Sequence, residues 1–379
     1  MNIVYNNFDE ISTSLSNSFL NLSNNLSKPQ AKNLAYAIVA ATDANSIVTS
    51  TVASHFKGSL SFNKPESNER KLRRFLNNFH FSPYIVYQDF INHILSNYKV
   101  KHLDNSIFIS FDHSFNKDDF VSLVVALRIG KQSIPIWFRC FKSDDKTAFN
   151  YEIIKDALTF AHESFPDKKI VFLADRFFND VAIFNLIDEF GDTYYIWTKT
   201  NVNVSFNGTD FVSLSSISSK VHNSKIIDNV YFTSTNKKLV NIVISPSKDT
   251  DDPWYIITNG NPKMAIKHYS KRFGGIEFIF KAQKSNGYSL EKTTTRNLTV
   301  FTKLFFISCV AILWLTILGA DYVKNKNKKS VVNLYDVKNV KGKKIRIKSL
   351  FTIGKQLFQY AYDSYVYYKL KYDFILYDL

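Results

Sequence analysis

One stretch of the sequence, residues 269–287 (YSKRFGGIEFIFKAQKSNG), places a single carboxylate, Glu277, in a cluster of positive charge. The nearby cations are Lys271, Arg272, Lys281 and Lys284. Carboxylates are ligands for hard divalent cations, whereas Lys and Arg side chains bind phosphate oxygens. The stretch therefore suggests a site that holds a metal ion beside a nucleic-acid backbone. A salt-bridged surface helix is the alternative, because Glu277 and Lys281 have i, i+4 spacing.

Two aspartates follow apolar runs that are typical of buried strands. Asp112 follows SIFISF (106–111), and Asp175 follows IVFLA (170–174). Each aspartate alone indicates no more than a turn or a helix cap. If the two strands are parallel neighbours, however, both side chains emerge at the same edge of the sheet. With Glu277 they could then bind divalent ions about 3.5–4 Å apart, an arrangement that clamps the attacking and leaving oxygens of a phosphodiester.

The central part of the chain predicts an α/β protein, more closely an α+β mixed sheet with helices on its faces. The predicted elements are antiparallel strands at 106–113, 119–129 and 133–141, a helix from Thr147, a strand at 168–175, a helix near 178–190 and a strand from Tyr194. A hairpin turn at 130–132 joins the second and third strands.

Changes of pattern along the chain predict four regions. Residues 1–100 are expected to be a helical DNA-binding region, and 301–379 a second helical region. A catalytic core is expected to combine 101–200 with 254–300. Between these two parts, residues 201–253 hold short strand-like runs separated by Asn, Gly, Ser and Asp, so a β-rich insertion is predicted.

The Glu277 stretch is predicted to belong to a continuous helix from about Pro262. In such a helix Glu277 and Lys284, seven residues apart, lie within about 20° of each other. Arg272 lies about 140° from Glu277, away from that face. Arg272 can join the carboxylate only if the glycine pair 274–275 absorbs one residue. Otherwise Lys271 or Lys281 is the better candidate for a phosphate contact.

These motifs resemble the DDE transposases of bacterial and archaeal insertion sequences, in the insertion-sequence-four group. The resemblance rests on FDHSFNK around Asp112, LADRFF around Asp175, WYIITNG at 254–260 and the Glu277 stretch, and it covers about residues 105–290. The family has a Tyr, Arg, Glu, Lys signature, which matches Tyr269, Arg272, Glu277 and Lys284. The family places three residues between the Arg and the Glu, whereas this sequence has four.

The resemblance implies a ribonuclease-H-like catalytic core with a β insertion before the final Glu. Asp112, Asp175 and Glu277 would be the catalytic residues and would hold two Mg²⁺ or Mn²⁺ ions, with Asp112 bridging both. Cations near Glu277 would bind the strand-end phosphate; the DNA-binding residues implied here are Tyr269, Arg272, Lys281 and Lys284. Trp254 resembles a family Trp that stacks on a flipped base, although a core tryptophan fits the same position.

The implied activity is cleavage of double-stranded DNA at terminal inverted repeats, followed by strand transfer into target DNA. A homodimer is expected in the DNA complex. The formal charge of +15, from 48 Lys and Arg against 33 Asp and Glu, also favours a polyanionic partner, although a Lys-rich composition bias gives the same surplus. In the basic segment RKLRRFL (70–76), Arg73 and Arg74 are predicted to contact the DNA backbone, with a solvated helix face as the alternative.

One segment argues against a soluble protein, because none of the 17 residues at 304–320 carries a charge. A helix of that length spans about 25 Å, short of the roughly 30 Å hydrocarbon layer. We therefore expect a buried helix in a cytoplasmic, nucleoid-associated protein with no membrane partner. Cys140 and Cys309, far apart, predict neither a disulfide framework nor a zinc site. The alternatives are a membrane protein anchored by 304–320 and a DNA-binding relative without catalytic activity.

Overall fold

The computed structural model describes residues 3–98, 106–218, 224–246, 253–284, 287–324, 337–340, 343–346, 348–363, 370 and 372–376. Five helices precede the first described strand: α1 (Ile3–Leu22), α2 (Lys28–Ala44), α3 (Thr49–Ser54), α4 (Pro65–Leu76) and α5 (Pro83–Ser96). Proline lies in the first turn of α2, α4 and α5. Its fixed φ suits a helix start, where a missing N–H leaves no bond unmade.

The sheet begins with the predicted antiparallel trio β1 (Ser106–Asn116), β2 (Phe120–Ile129) and β3 (Gln132–Lys142). It continues through α6 (Tyr151–Glu163), β4 (Lys169–Ala174), α7 (Val181–Glu189) and β5 (Thr193–Trp197). β4 pairs in parallel with both β1 and β5, as the side-by-side placement of the aspartates requires. β1 does not end at Asp112, because residues 112–116 pair with residues 120–124 of β2.

The β-rich segment extends this sheet. It contains β6 (Asn203–Ser205), β7 (Val212–Ser213), α8 (Leu214–Ser218), β8 (Lys225–Phe232) and β9 (Lys238–Ser245), and is followed by β10 (Trp254–Thr258). Because β10 pairs with β5 on one side and β9 on the other, the described strands form a ten-stranded mixed sheet of order β3-β2-β1-β4-β5-β10-β9-β8-β6-β7. The mixed α/β class is therefore confirmed, whereas the domain boundaries stay a prediction.

The continuous helix predicted through the Glu277 stretch is wrong. The chain forms α9 (Ala265–Tyr269) and a 3₁₀ turn at Ser270–Arg272, and then α10 (Ile276–Gln283) begins. Between them Phe273 is extended and Gly274 has a φ of +69°. A left-handed residue cannot continue a right-handed helix, and glycine adopts this conformation at little cost. The glycine pair therefore breaks the helix.

The C-terminal part contains α11 (Leu298–Lys324), a hairpin of β11 (Val337–Val340) and β12 (Lys343–Arg346), and α12 (Leu350–Asp363). The expectation of an entirely helical region missed this hairpin. α11 is long and apolar enough to cross a membrane by length and composition, yet 94% of its most apolar window is buried. It packs against β3, α2, α4, α5, α10 and α12. This is the position of the predicted core helix.

The crossing of α11 and α12 depends on close backbone approach. A Cβ atom on Gly354 would lie 1.8 Å from the Leu315 carbonyl oxygen, and one on Gly319 would lie 1.9 Å from that of Leu350. Both distances are far below van der Waals contact, so any larger residue forces the helices apart.

We expect Gly354→Ala to lower the melting temperature of the protein clearly, because overpacking of a close crossing costs about 1–3 kcal/mol or more. Thermal unfolding followed by calorimetry measures the effect. Lys355→Ala is the control, since it changes the same helix without filling the crossing. Equal melting temperatures for wild type and Gly354→Ala would show that α11 and α12 do not pack in this way.

Candidate functional site

The two aspartates lie at the same edge of the sheet. The last parallel pair between β1 and β4 is Ser110 with Leu173, and Asp112 and Asp175 each lie two residues further along their chains. The side chains are 15% and 30% exposed. The carboxylates therefore stand side by side where β4 ends, as their positions in the sequence predicted.

The Arg272 guanidinium brings all three predicted carboxylates together. Its Nη2 atom lies 2.5 Å from Asp112 Oδ2 and 4.0 Å from Asp175 Oδ2, and its Nη1 atom lies 3.6 Å from Glu277 Oε1. Arg272 is buried, and it is only 6% exposed. Residues that are 63, 102 and 165 positions apart in the sequence, counted pairwise among Asp112, Asp175 and Glu277, thus meet around one side chain.

The break before α10 is what points Arg272 at the carboxylates. A continuous helix would turn Arg272 about 140° away from Glu277. Instead, the extended Phe273 and the left-handed Gly274 let the chain change direction between the two residues. The glycine pair does absorb the extra residue, although it does so by ending one helical segment and starting another.

Arg128 on β2 holds this break in place, and sequence reasoning missed it. Its Nη1 atom donates to the carbonyl oxygens of Lys271 and, at 3.2 Å, of Phe273, while its Nε atom donates to that of Gly130 at 2.8 Å. The Lys271 and Phe273 carbonyls have no partner in a continuing helix, because the helical segment stops here. A signal was present, since Arg128 is the one charged residue in the apolar run of β2.

The cluster carries excess negative charge. Burial raises the pKa of Asp112 to about 7, against the opposing effect of Arg272, and the carboxylates of Asp175 and Glu277 raise it further. One guanidinium does not neutralise three carboxylates. In the absence of another cation, the Asp112 side chain therefore binds a proton at a pH at which an exposed aspartate is ionised.

Tyr269 and Trp254 form an aromatic wall next to Arg272. Tyr269 is fully buried, and its hydroxyl has no hydrogen-bond partner. The Trp254 ring packs edge-on against Tyr269 at 5.5 Å and stacks on Phe273 at 5.1 Å. Tyr269 presents no surface to DNA in this arrangement, and one face of the half-buried Trp254 is covered by Phe273.

Three lysines were candidates for a phosphate contact: Lys281 and Lys284, and Lys271 as the alternative to Arg272. Lys284 follows directly after the last residue of α10 and has non-helical φ and ψ, and its predicted phosphate contact stays a prediction. Burial lowers the pKa of Lys284, opposed by Glu291 and Asp112. Lys281 is exposed in the last turn of α10. The Lys271 ammonium lies over the Phe108 ring, at 3.2 Å from its centroid.

Arg73 and Arg74 lie on α4 and are both exposed. Arg73 pairs with Glu69 one helical turn away, at 2.6 Å. It also lines a polar cleft of about 340 Å³ with residues of α3 and the segment 293–297. The structure thus places the basic segment on a surface of its own, without joining it to the carboxylate cluster.

Among the described residues, no group of three or more His, Cys, Asp or Glu side chains is spaced closely enough to hold a metal ion. The chemistry of the donor set nevertheless fits a hard divalent cation, since Asp112, Asp175 and Glu277 provide only carboxylate oxygens and a surplus of negative charge. In the described arrangement, the Arg272 guanidinium is the cation that the three carboxylates share.

Comparison with known proteins supports the fold. No known sequence family matches the chain, and no curated protein resembles it in sequence. A structure of the piggyBac transposase synaptic complex with hairpin DNA matches 94% of this chain and 79% of that chain, with 12% identity and a TM-score of 0.51. A Marinitoga piezophila Argonaute in complex with guide RNA and target DNA matches 63% of this chain and 33% of that chain, with 13% identity and a TM-score of 0.22.

The first match shows that this chain shares its overall fold with that transposase structure, in agreement with the ribonuclease-H-like core expected from the sequence. The second similarity is too low to bear on the fold. At these identities neither match assigns a role to an individual residue, so the site residues stay a prediction.

We expect Gly274→Ala to impair the DNA binding and cleavage that the family resemblance implies, because a Cβ atom disfavours the left-handed backbone that orients Arg272. The cost in stability is about 1–2 kcal/mol. Gly191→Ala is a matched control, because Gly191 has a φ of +72° and open space around it, in the turn before β5. Both variants should lose similar stability in thermal unfolding, and only Gly274→Ala should lose function. If Gly274→Ala and Gly191→Ala had equal function, the helix break at Gly274 would not be required by the site.

Asp112 should also make stability depend on pH in the presence of a chelator. Its folded pKa of about 7 lies above its ordinary value of 3.8. The stabilisation is complete below about pH 4 and is lost as the pH rises through 7. Asp112→Asn mimics the protonated acid, so wild type should lose up to a few kcal/mol relative to this variant between about pH 4 and pH 7. If the melting temperatures of wild type and Asp112→Asn changed equally across that pH range, the raised pKa of Asp112 would be contradicted.

Proposed function

We propose that this chain is a DNA transposase of the DDE class, in the insertion-sequence-four group, that cleaves DNA at terminal inverted repeats and joins the freed end to target DNA. The observation that carries the proposal is the meeting of Asp112, Asp175 and Glu277 around Arg272 at one edge of the sheet. The transposase-like fold supports it, as does the charge of +15.

The three carboxylates would hold two Mg²⁺ or Mn²⁺ ions, which when bound activate water and stabilise the oxygens of phosphodiester transfer. Asp112, the most buried of the three, would contact both ions. Arg272 would balance the remaining charge and pair with the scissile phosphate. The hydrogen bonds of Arg128 and the left-handed Gly274 fix the backbone on either side of Arg272. They would keep the Arg272 guanidinium aligned with the scissile phosphate.

In the first step of the proposed reaction, a water oxygen forms a bond to phosphorus and the P–O3′ bond breaks. The products are a 3′-hydroxyl and a 5′-phosphate. In the second step, that 3′-hydroxyl attacks a phosphodiester of target DNA and displaces its 3′-oxygen. Because both nucleophiles are oxygens of water or DNA, no covalent protein–DNA intermediate is expected.

Duplex DNA would reach the site across basic surface. The exposed Lys281 and half-buried Lys284 lie at the end of α10, close to Glu277, and would contact the strand-end phosphate. Arg73 and Arg74, which lie on α4, would bind phosphates of the DNA backbone. Trp254, which packs against Tyr269 and Phe273, would also contribute to DNA binding. We further propose a homodimer in the DNA complex and a nucleoid-associated location in the cytoplasm.

A second candidate is a DNA-binding relative without catalytic activity. One observation favours it: the buried Arg272 lies 2.5 Å from Asp112, so its guanidinium occupies the space between carboxylates that ions would share. The two candidates differ in whether Mg²⁺ or Mn²⁺ supports cleavage.

The test is cleavage of the DNA ends that flank the coding sequence in its own genome, with Mg²⁺ or Mn²⁺. Asp112→Ala, Asp175→Ala and Glu277→Ala should each lower strand cleavage by more than about 100-fold, because even groups outside the ligand shell change metal-dependent activity by 10–100-fold. Binding of the ends should persist, since the phosphate contacts remain. The control is Asp228→Ala, an exposed carboxylate on β8.

Full cleavage by any one of the three variants would remove that residue from the catalytic set. Binding of the ends by wild type without metal-dependent cleavage would favour the second candidate.

A further inference from the structure

A row of partly exposed phenylalanines begins next to Asp175. Phe177 is 53% exposed and Phe115 is 51% exposed, and the Phe149 ring lies between them. Ring centroids are 5.2 Å apart for Phe177 and Phe149, and 6.3 Å apart for Phe149 and Phe115. Because side chains alternate along β1, Phe115 lies on the opposite face from Asp112, so the row leads away from the carboxylates.

The backbone of Phe177 is hydrogen-bonded to the side chain of Asp175, a proposed catalytic residue. The Asp175 carboxylate accepts a hydrogen bond of 2.9 Å from the Phe177 backbone N–H. The ring also packs on His113 at 5.0 Å and on Phe178 at 5.5 Å. The position of the exposed ring is therefore fixed relative to the Asp175 side chain. A strand with a phosphate at the carboxylates would have its adjacent nucleotides within reach of this ring.

Positive charge accompanies the ring. Phe177 lines an open cleft of about 430 Å³ together with Arg176, Asn179 and Lys199. Both cations are exposed, and the Arg176 guanidinium lies 5.1 Å from the centroid of the Trp197 ring. An exposed aromatic surface alone could attract many partners. The two cations make this cleft complementary to a polyanion.

This combination of groups matches the chemistry of an unpaired nucleotide. A base stacks on an aromatic ring whatever its identity, and Lys and Arg bind the phosphates on either side of it. Within a closed duplex the base faces are covered by their neighbours, so away from a duplex end such a ring can stack only on bases of opened pairs. Trp254 is less suited to this role, because Phe273 covers one of its faces.

We propose that Phe177, continued by Phe149 and Phe115, is a stacking platform for unpaired bases of the strand that flanks the scissile phosphate, with Arg176 and Lys199 on its phosphates. The inference rests on the proposed function for the position of the scissile phosphate. It specifies the substrate as DNA whose base pairs are open beside the cleavage point.

The test compares binding of a single-stranded oligothymidine and of a blunt duplex of equal length by the full chain in the presence of a chelator. Phe177→Ala should weaken oligothymidine binding by about 5- to 150-fold, the effect of losing one to a few kcal/mol of stacking, and leave duplex binding unchanged. Phe177→Trp should retain the affinity and show quenched indole fluorescence on binding. Phe177→Leu keeps apolar packing without a π face, so it should behave as Phe177→Ala does.

Phe206→Ala is the matched control, because Phe206 is 63% exposed next to β6, at the far end of the sheet. Equal loss for Phe177→Ala and Phe206→Ala, equal loss on duplex and single strand, or wild-type affinity in Phe177→Leu would each overturn the platform. So would a wild type that binds no single strand.

The cleavage assay separates this outcome from failure of the proposed function. Phe177-dependent single-strand binding by a protein that does not cleave would refute the transposase and retain the platform. Cleavage with binding independent of Phe177 would do the reverse.

Discussion

The ion pairs of the Arg272 guanidinium connect three carboxylates that lie far apart in the sequence. Asp112 comes from the middle of β1, Asp175 from the end of β4 and Glu277 from the first turn of α10. The parallel pairing of β1 with β4 fixes the first two carboxylates. The position of the third carboxylate, Glu277, depends on where α10 begins. Without the guanidinium, the largely buried carboxylate of Asp112 would lose its nearest cation and would be repelled by the partly exposed carboxylates of Asp175 and Glu277.

The position of Arg272 depends in turn on a local violation of helix continuity. Gly274 supplies the left-handed residue, and Arg128 supplies hydrogen bonds to carbonyls that the ended helix leaves open. A β2 side chain therefore determines the direction of a side chain about 144 residues later in the sequence. Here the break places a cation among carboxylates and brings Tyr269 and Trp254 against the same site.

Much of this arrangement could be predicted from the sequence. Alternation and apolar runs predicted β1 to β5. The neighbouring positions of Asp112 and Asp175 were predicted on the condition that their strands pair in parallel, and the structure meets that condition. Helical periodicity failed around Glu277, because it assumes an unbroken helix and a glycine pair does not reveal whether it bends or ends one. The charge of Arg128 in an otherwise apolar strand was visible in the sequence, but its partners were not, since they are backbone carbonyls, which no sequence pattern displays. The exposure of Phe177 was likewise hidden, because a phenylalanine after a buried strand has the pattern of a core residue.

The central proposal is that Asp112, Asp175 and Glu277 together hold divalent metal ions when these are present. Iron(II)-mediated hydroxyl-radical cleavage tests it directly, because Fe²⁺ that replaces Mg²⁺ cuts the backbone only near the bound ion. The account predicts cuts close to residues 112, 175 and 277 in a single sample, suppressed by excess Mg²⁺ and lost in the Asp112→Ala variant. Cuts at other positions, or at only one of the three segments, would contradict a shared site.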